Sequence, residues 1–309
     1  GRNSDIDTAS TPEDLWNGGG IYTGFQPTAN ENISITSSDV NDTGSDVSTG
    51  TATGGSLTTI EDTGATFVTD GVAVGDCVVN TTKSIHGLVK AVTSETVLTV
   101  HRMNDTDPIS DNVNTSGDSY RVVTATSTGG ALVRIDPILN SEYELQPTVY
   151  ITLNGTTTVT TAGVDAFRFS FAQIILSGSS PHNEGDLTAT QSATTANVMF
   201  VMPAETGQTE VAAYTVPRGL RMLIKNVHIS MARSLGAAGS ATVYINESPV
   251  GDSTRTIRTY EITDGHDVST DIFGAIVVQE MSDVVVRVTN VSDNNTIVQC
   301  SLEYLLVAI

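Results

Sequence analysis

Residues 149–160 read Val149-Tyr150-Ile151-Thr152-Leu153-Asn154-Gly155-Thr156-Thr157-Thr158-Val159-Thr160. Val149, Ile151 and Leu153 fall on one side of an extended chain, with Tyr150 and Thr152 on the other, which is the two-residue period of a half-buried strand. An Asn-Gly pair between two such runs predicts a tight turn joining them as a hairpin. The same period recurs downstream. Phe167, Phe169 and Phe171 alternate with Arg168 and Ser170, so three rings enter a core or an interface. Val227, Ile229 and Met231 alternate with His228 and Ser230. Val298, Cys300, Leu302, Tyr304 and Leu306 alternate with Gln299, Ser301 and Glu303. With so much threonine and valine, which favour pleated sheet, the chain is expected to be all-β.

One short helix is expected as the exception. In Thr11-Pro12-Glu13-Asp14-Leu15-Trp16 a capping hydroxyl is followed by a proline at the first helical position and acids in the first turn. Asn17-Gly18-Gly19-Gly20 would end it.

Breaks in composition divide the rest. Residues 41–56 and 124–130 are rich in Gly, Ser, Thr and Asp, and Pro203-Ala204-Glu205-Thr206-Gly207 forms a third break. The expected organisation is a set of antiparallel β-sandwich modules. An extended N-terminal arm with the helix and first strands spans 1–55. An inserted small β-barrel module spans 56–125, its short strands separated by Gly71, Gly75 and Gly87. A β-sandwich spans 126–205, completed by strands from the N-terminal segment, and a jelly-roll-like β-sandwich of seven or eight strands spans 206–309.

The 309 residues carry 14 basic and 35 acidic side chains, a net charge of −21. Such a surface repels phosphate backbones and anionic lipid, which excludes nucleic acid and membrane as partners. No apolar run is long enough for a membrane span. Cys77 and Cys300 are too few for a disulfide framework or a zinc site. The histidines at 86, 101, 182, 228 and 266 are scattered. His182 and His266 lie beside acids, as a catalytic dyad would require, yet no nucleophile motif accompanies them. Sugar cleavage needs aromatic platforms beside paired carboxylates, and only 5% of residues are aromatic. No catalytic residue, cofactor or metal ligand is assigned, and the chain reads as a non-enzyme. Calcium is compatible with the acid-rich turns Asn104-Asp105-Thr106-Asp107 and Asp39-Val40-Asn41-Asp42. Neither has EF-hand spacing, and solvated turns account for them equally well.

With no concentrated site, function is expected to reside in surfaces. The first 54 residues contain too few apolar groups to close a core of their own, so they are expected to drape over a neighbour. Trp16, Tyr22 and Phe25 are the candidate contacts. Leu305-Leu306-Val307-Ala308-Ile309 ends the chain without polar residues, placing Leu306 and Ile309 in a core or between subunits. Arg218, Arg221 and Lys225 form the densest basic cluster, suited to acids across a subunit boundary or to a solvated strand edge.

Several stretches carry a resemblance. Gly1-Arg2-Asn3-Ser4-Asp5-Ile6-Asp7-Thr8 followed by Thr11-Pro12-Glu13-Asp14-Leu15-Trp16-Asn17-Gly18-Gly19 resembles the N-terminus of a family of virion structural proteins of tailed, mostly marine, bacteriophages. Asp42-Thr43-Gly44, Leu153-Asn154-Gly155-Thr156-Thr157 with Val159-Thr160-Thr161, and Tyr214-Thr215-Val216-Pro217-Arg218-Gly219 resemble the same family, so the likeness covers the chain outside about 57–123. That block, with Phe67, Val72, Val74-Gly75-Asp76 and Val79-Asn80, resembles a small β module inserted in phage structural proteins. The resemblance implies a decoration protein, knob or head fibre without catalytic residues, commonly trimeric. A homotrimer bound to the major capsid protein or neighbouring virion proteins on the outer surface of the head is therefore expected. The alternative is a head-fibre or tail component that binds host-surface glycans.

Overall fold

The computed structural model describes residues 1–8, 11–102, 115–233, 239–265 and 267–309. The fold is all-β. Among the described residues the one helical element is a three-residue 3-10 turn, Thr23–Phe25. The helix expected at 11–16 does not form, and Glu13–Asp14 is a two-residue strand paired with Ser282–Val291. Its acids are buried acceptors rather than the exposed first turn of a helix. Asp14 takes the Arg287 guanidinium (Nε to Oδ1 2.6 Å, Nη2 to Oδ2 3.0 Å) and the Tyr22 N–H. Glu13 takes the Asn3 side chain and the Gly20 N–H. Buried carboxylates need such partners, and the extended backbone brings them within reach.

The C-terminal part is a two-sheet sandwich with a single large core that includes Met222, Ile224, Val243, Ile245, Val286 and Val298. Arg2–Ile6 and Glu13–Asp14 are its first two strands. Leu220–Arg233, Ser240–Pro249, Arg255–Thr263, Val268–Val278, Ser282–Val291 and Thr296–Ala308 are the third to eighth. The sheets then run 1-8-3-6 and 2-7-4-5, which is jelly-roll order, and Ala213–Thr215 adds to the second sheet beside Ser282–Val291. The N-terminal arm therefore does not drape over a neighbour. It closes its own sandwich through Arg2↔Gln299, Asn3↔Val298 and Ile6↔Thr296, with Ile6 fully buried. Most of the chain, from Leu15 to Ala212, is inserted between strands two and three.

Within that insertion, Gly130–Ile135 is flanked by Val149–Thr152 and Ala172–Ser177. A four-stranded sheet runs Val159–Thr160, Ile33–Ser37, Leu187–Gln191, Val198–Met202. Ile33, Ile35, Val133, Ile135, Leu187 and Phe200 share the core of this middle region. The strands on either side of Asn154-Gly155 thus belong to different sheets and do not form the expected hairpin. The turn is there, with Gly155 at φ +57°, but its backbone is engaged by the loop at 37–43. Gly155 N–H donates to Asp42 O, Ser37 N–H donates to Gly155 O, and Asn154 bridges Thr43. The turn passes the chain from one sheet to another instead of folding it back.

The smaller module is a seven-stranded sheet that begins with Gly44–Thr51 and ends with Thr59–Glu61 and Gly54–Gly55. It is not a closed barrel, because no ladder joins the two outer strands. One face encloses Ile60, Phe67, Val78, Leu98, Tyr120 and Val122. The other packs Cys77, Val79 and Val123 against Ala131, Leu132 and Leu176 of the middle region. Both faces are buried, so the module is a docked layer.

Candidate interaction surface

The jelly roll's first sheet presents one face to its core and one to solvent. Along Leu220–Arg233 the inward residues are Met222, Ile224, Val227 and Ile229, and a bulge between Ile224 and Asn226 keeps the apolar set in phase. Arg221, Leu223 and Lys225 lie on the other side, Arg221 and Lys225 exposed and Leu223 half-buried. Register then decides what stands beside them. Leu305 of Thr296–Ala308 lies opposite Leu223 on one flank, and Val277 of Val268–Val278 lies opposite it on the other. Residues directly opposite on one face are neighbours. The result is an apolar row across three adjacent strands, with Val277 41% exposed and Leu305 49% exposed. Val307, next along and opposite Arg221, is 39% exposed, Leu306 38% and Ile309 57%.

Five of the eight residues singled out in the sequence therefore converge on one end of this sheet. Leu306 pairs with Met222, and Ile309 N–H donates to Gly219 O at 3.2 Å, next to Arg218. Leu306 and Ile309 are not in the chain's own core, which is one of the two places expected for them. Arg218 is held by Glu142 (Nη2 to Oε2 2.9 Å, Nε to O 2.7 Å), an exposed pair of small energetic consequence. Arg221 and Lys225 have no ion-pair partner among the described residues.

Trp16, Tyr22 and Phe25 are elsewhere. Trp16 and Tyr22 are buried inside this chain, which corrects their expected place as contacts for a neighbour, and Phe25 is half-buried. The rings meet edge to face at 5.2 and 5.0 Å between centroids. The Tyr22 hydroxyl donates to Met199 O at 2.9 Å, and burial raises its pKa. The trio ties the N-terminal segment to the middle region.

Leu223 and Val277 escape a reading by alternation. The available signal was the uninterrupted runs Met222-Leu223-Ile224 and Ile276-Val277-Val278, where a sheet with one wet face should place a polar residue in the middle.

Other candidate chemistry resolves into structural roles. His182 Nδ1 lies 3.2 Å from Asn183 O rather than against an acid, while Glu184 is engaged by the Ser180 hydroxyl. Asp42 is fully buried and its oxygens accept from Ser37 Oγ (2.5 Å) and the N–H groups of Gly130 (2.7 Å), Glu184 (2.8 Å) and Gly185 (2.9 Å), which fills its acceptor sites. Burial pushes the Cys77 and Cys300 thiols up to about 12, far from a reactive thiolate. His266 and the turn at 104–107 lie outside the described residues. Among the described residues no three His, Cys, Asp or Glu converge as a metal site, and no helix is long and apolar enough to cross a membrane.

Compared with known proteins, the chain matches no family model and no curated protein. The surface must therefore be read from its own chemistry. An apolar row flanked by unpaired cations, on a chain of net charge −21, is suited to contact with an acidic protein surface that also offers apolar area.

Proposed function

We propose that this protein is a non-enzymatic structural component of a phage virion, a homotrimeric decoration protein that binds the outer surface of the head and stabilises the shell. The observation that carries the assembly part of this reading is the row Val277, Leu223, Leu305 with Val307 beside it. Apolar area on a rigid sheet gains about 25 cal/mol for each Å² removed from water, so this face favours a partner. A closed ring of three copies needs unlike patches to meet, and a cation-flanked apolar row on an otherwise acidic chain supplies two unlike surfaces. The place in the virion rests on the sequence resemblance and on the charge, which disfavours contact with packaged DNA.

Quantitative mass spectrometry of purified virions tests it. A shell decoration is expected in hundreds of copies per particle, by icosahedral symmetry. A copy number in single or low double digits would move the protein to a head fibre or tail, and its absence from virions would overturn the reading.

A further inference from the structure

The loop between Thr59–Glu61 and Cys77–Asn80 in the small module is held from within and from one side. Phe67 and Val72 are buried in the module's core, and Val72 N–H donates to Phe67 O at 3.0 Å. Glu95 clamps the loop, accepting from Val68 N–H (2.9 Å), Thr69 N–H (3.1 Å) and the Thr69 hydroxyl (2.8 Å). In this fixed frame Val68 is 57% exposed and Val74 70%, the most exposed large apolar side chain among the described residues. Away from 305–309 and the row itself, Ile21, Val40, Leu57, Leu145 and Val250 are also exposed, but each stands alone in the sequence. Two outward valines on one anchored loop are left over from the chain's own packing.

Acids flank this pair. Asp70 is exposed, and it stands close enough to Glu95 to repel its carboxylate. Among the described residues neither forms an ion pair, and Lys90, in the strand that leads into Glu95, pairs with neither. The jelly roll carries the converse. Val277, Leu223 and Leu305 form the apolar row, and Arg221 and Lys225 stand on the same side as Leu223 with no ion-pair partner among the described residues. On the terminal strand the nearest acid in register is Glu303, opposite Asn226, and it leaves Lys225 unpaired. The small module docks on the middle region, so the loop and the row do not meet within one chain.

We propose that the row Val277, Leu223, Leu305 is the docking site for the Val68–Val74 loop of a second copy of this chain, with Arg221 and Lys225 set against Asp70 and Glu95. Charge selects this occupant. Two chains of net charge −21 repel over most of their surfaces, and opposite charges at the rim of an apolar contact fix which patches meet. Because the patches are unlike and lie on different modules, the contact runs head to tail, the type that closes a ring of copies. This inference rests on the assembly reading above and names its two surfaces.

The test combines light scattering with carbodiimide cross-linking of the full chain, in a mixture of isotope-labelled and unlabelled protein. The wild type is expected to exceed the single-chain mass of 32.4 kDa and to yield Lys225 joined to Asp70 or Glu95 in peptide pairs of mixed label. Leu223→Asp spoils the row, and Val74→Asp spoils the loop. Each variant, folded by circular dichroism, is expected to run at 32.4 kDa alone. Mixed together they should recover a dimer of one copy each, in which the Val74→Asp copy supplies Lys225 and the Leu223→Asp copy supplies Asp70 or Glu95. A wild type that is monomeric throughout, an oligomer cross-linked only at other sites, a folded variant that assembles as the wild type does, or a mixture without that one-way link would each overturn the proposal. Should a variant fail to fold, the wild-type cross-links decide alone. A monomer that still coats phage heads would sink this contact and spare the virion reading. An oligomer joined through these two patches that never binds heads would do the reverse.

Discussion

Arg168 and Asp283 meet as a buried pair between the middle region and the jelly roll, with Nε 3.3 Å from Oδ1 and Nη2 3.2 Å from Oδ2. The remaining guanidinium donors reach Phe25 O, Pro27 O and Phe167 O, and the guanidinium carbon stacks 4.0 Å over the Phe167 ring. Burial pushes the Asp283 carboxyl above its ordinary value, against the pull of Arg168 and of the Thr215 hydroxyl. Alternation places Arg168 on a polar face. It is in fact the joint between two regions.

Arg168→Ala is expected to cost roughly 3–5 kcal/mol, because it strands a buried carboxylate. Arg168→Met combined with Asp283→Leu should cost far less, since both charges leave together. Urea denaturation of the single and double variants checks this, and near-equal losses in the two would refute the pair as the source of the effect.

His86 joins the small module to the middle region, its Nδ1 3.1 Å from the Tyr150 hydroxyl. Burial, and secondarily the charge of Arg134, lower its pKa from 6.5 to about 4. The unfolded chain then binds a proton across a range where the folded chain does not. The stabilisation is complete above pH 6.5 and falls as pH drops towards 4, by roughly 3 kcal/mol in all. His86→Gln keeps a hydrogen-bonding side chain without the titration. Its urea midpoint should decline less than the wild type's between pH 7 and 4, and parallel declines would show that His86 is not responsible.

Asp42 ties three loops through four donors, so Asp42→Asn leaves an amide NH₂ facing two of them. Each buried donor left without an acceptor costs about 1–3 kcal/mol. A fall in melting temperature is expected for the variant, and added calcium should leave the wild-type melting curve unchanged. A calcium-dependent rise that vanishes in Asp42→Asn would make this carboxylate a cation ligand instead.

The strand content and the apolar terminus at 305–309 were legible because period two and an unbroken apolar run are local signals. What stayed hidden depends on distant partners. Arg2–Ile6 reads as a polar tail, yet pairing with a strand almost 300 residues away makes it part of a jelly roll. Glu13 and Asp14 look alike as helix-start acids or buried acceptors until Arg287 and Asn3 are placed. Trp16 and Tyr22 in a polar arm signal burial without saying against which chain. Of the surface itself, Arg221, Lys225, Leu306 and Ile309 could be picked out, but Leu223 and Val277 needed the register that sets them beside Leu305.

Because its first strand pairs with its last, the jelly roll cannot close until Thr296–Ala308 has left the ribosome. At about 5–20 residues per second, that leaves Arg2–Ile6 waiting on the order of 15–60 s. The intervening layers can fold during that interval, while Arg2–Ile6 stays in solution. A sticky, oily strand would be captured by nascent neighbours long before its mate arrived, so the polar Arg-Asn-Ser-Asp run suits a segment made almost 300 residues ahead of the strand it pairs with.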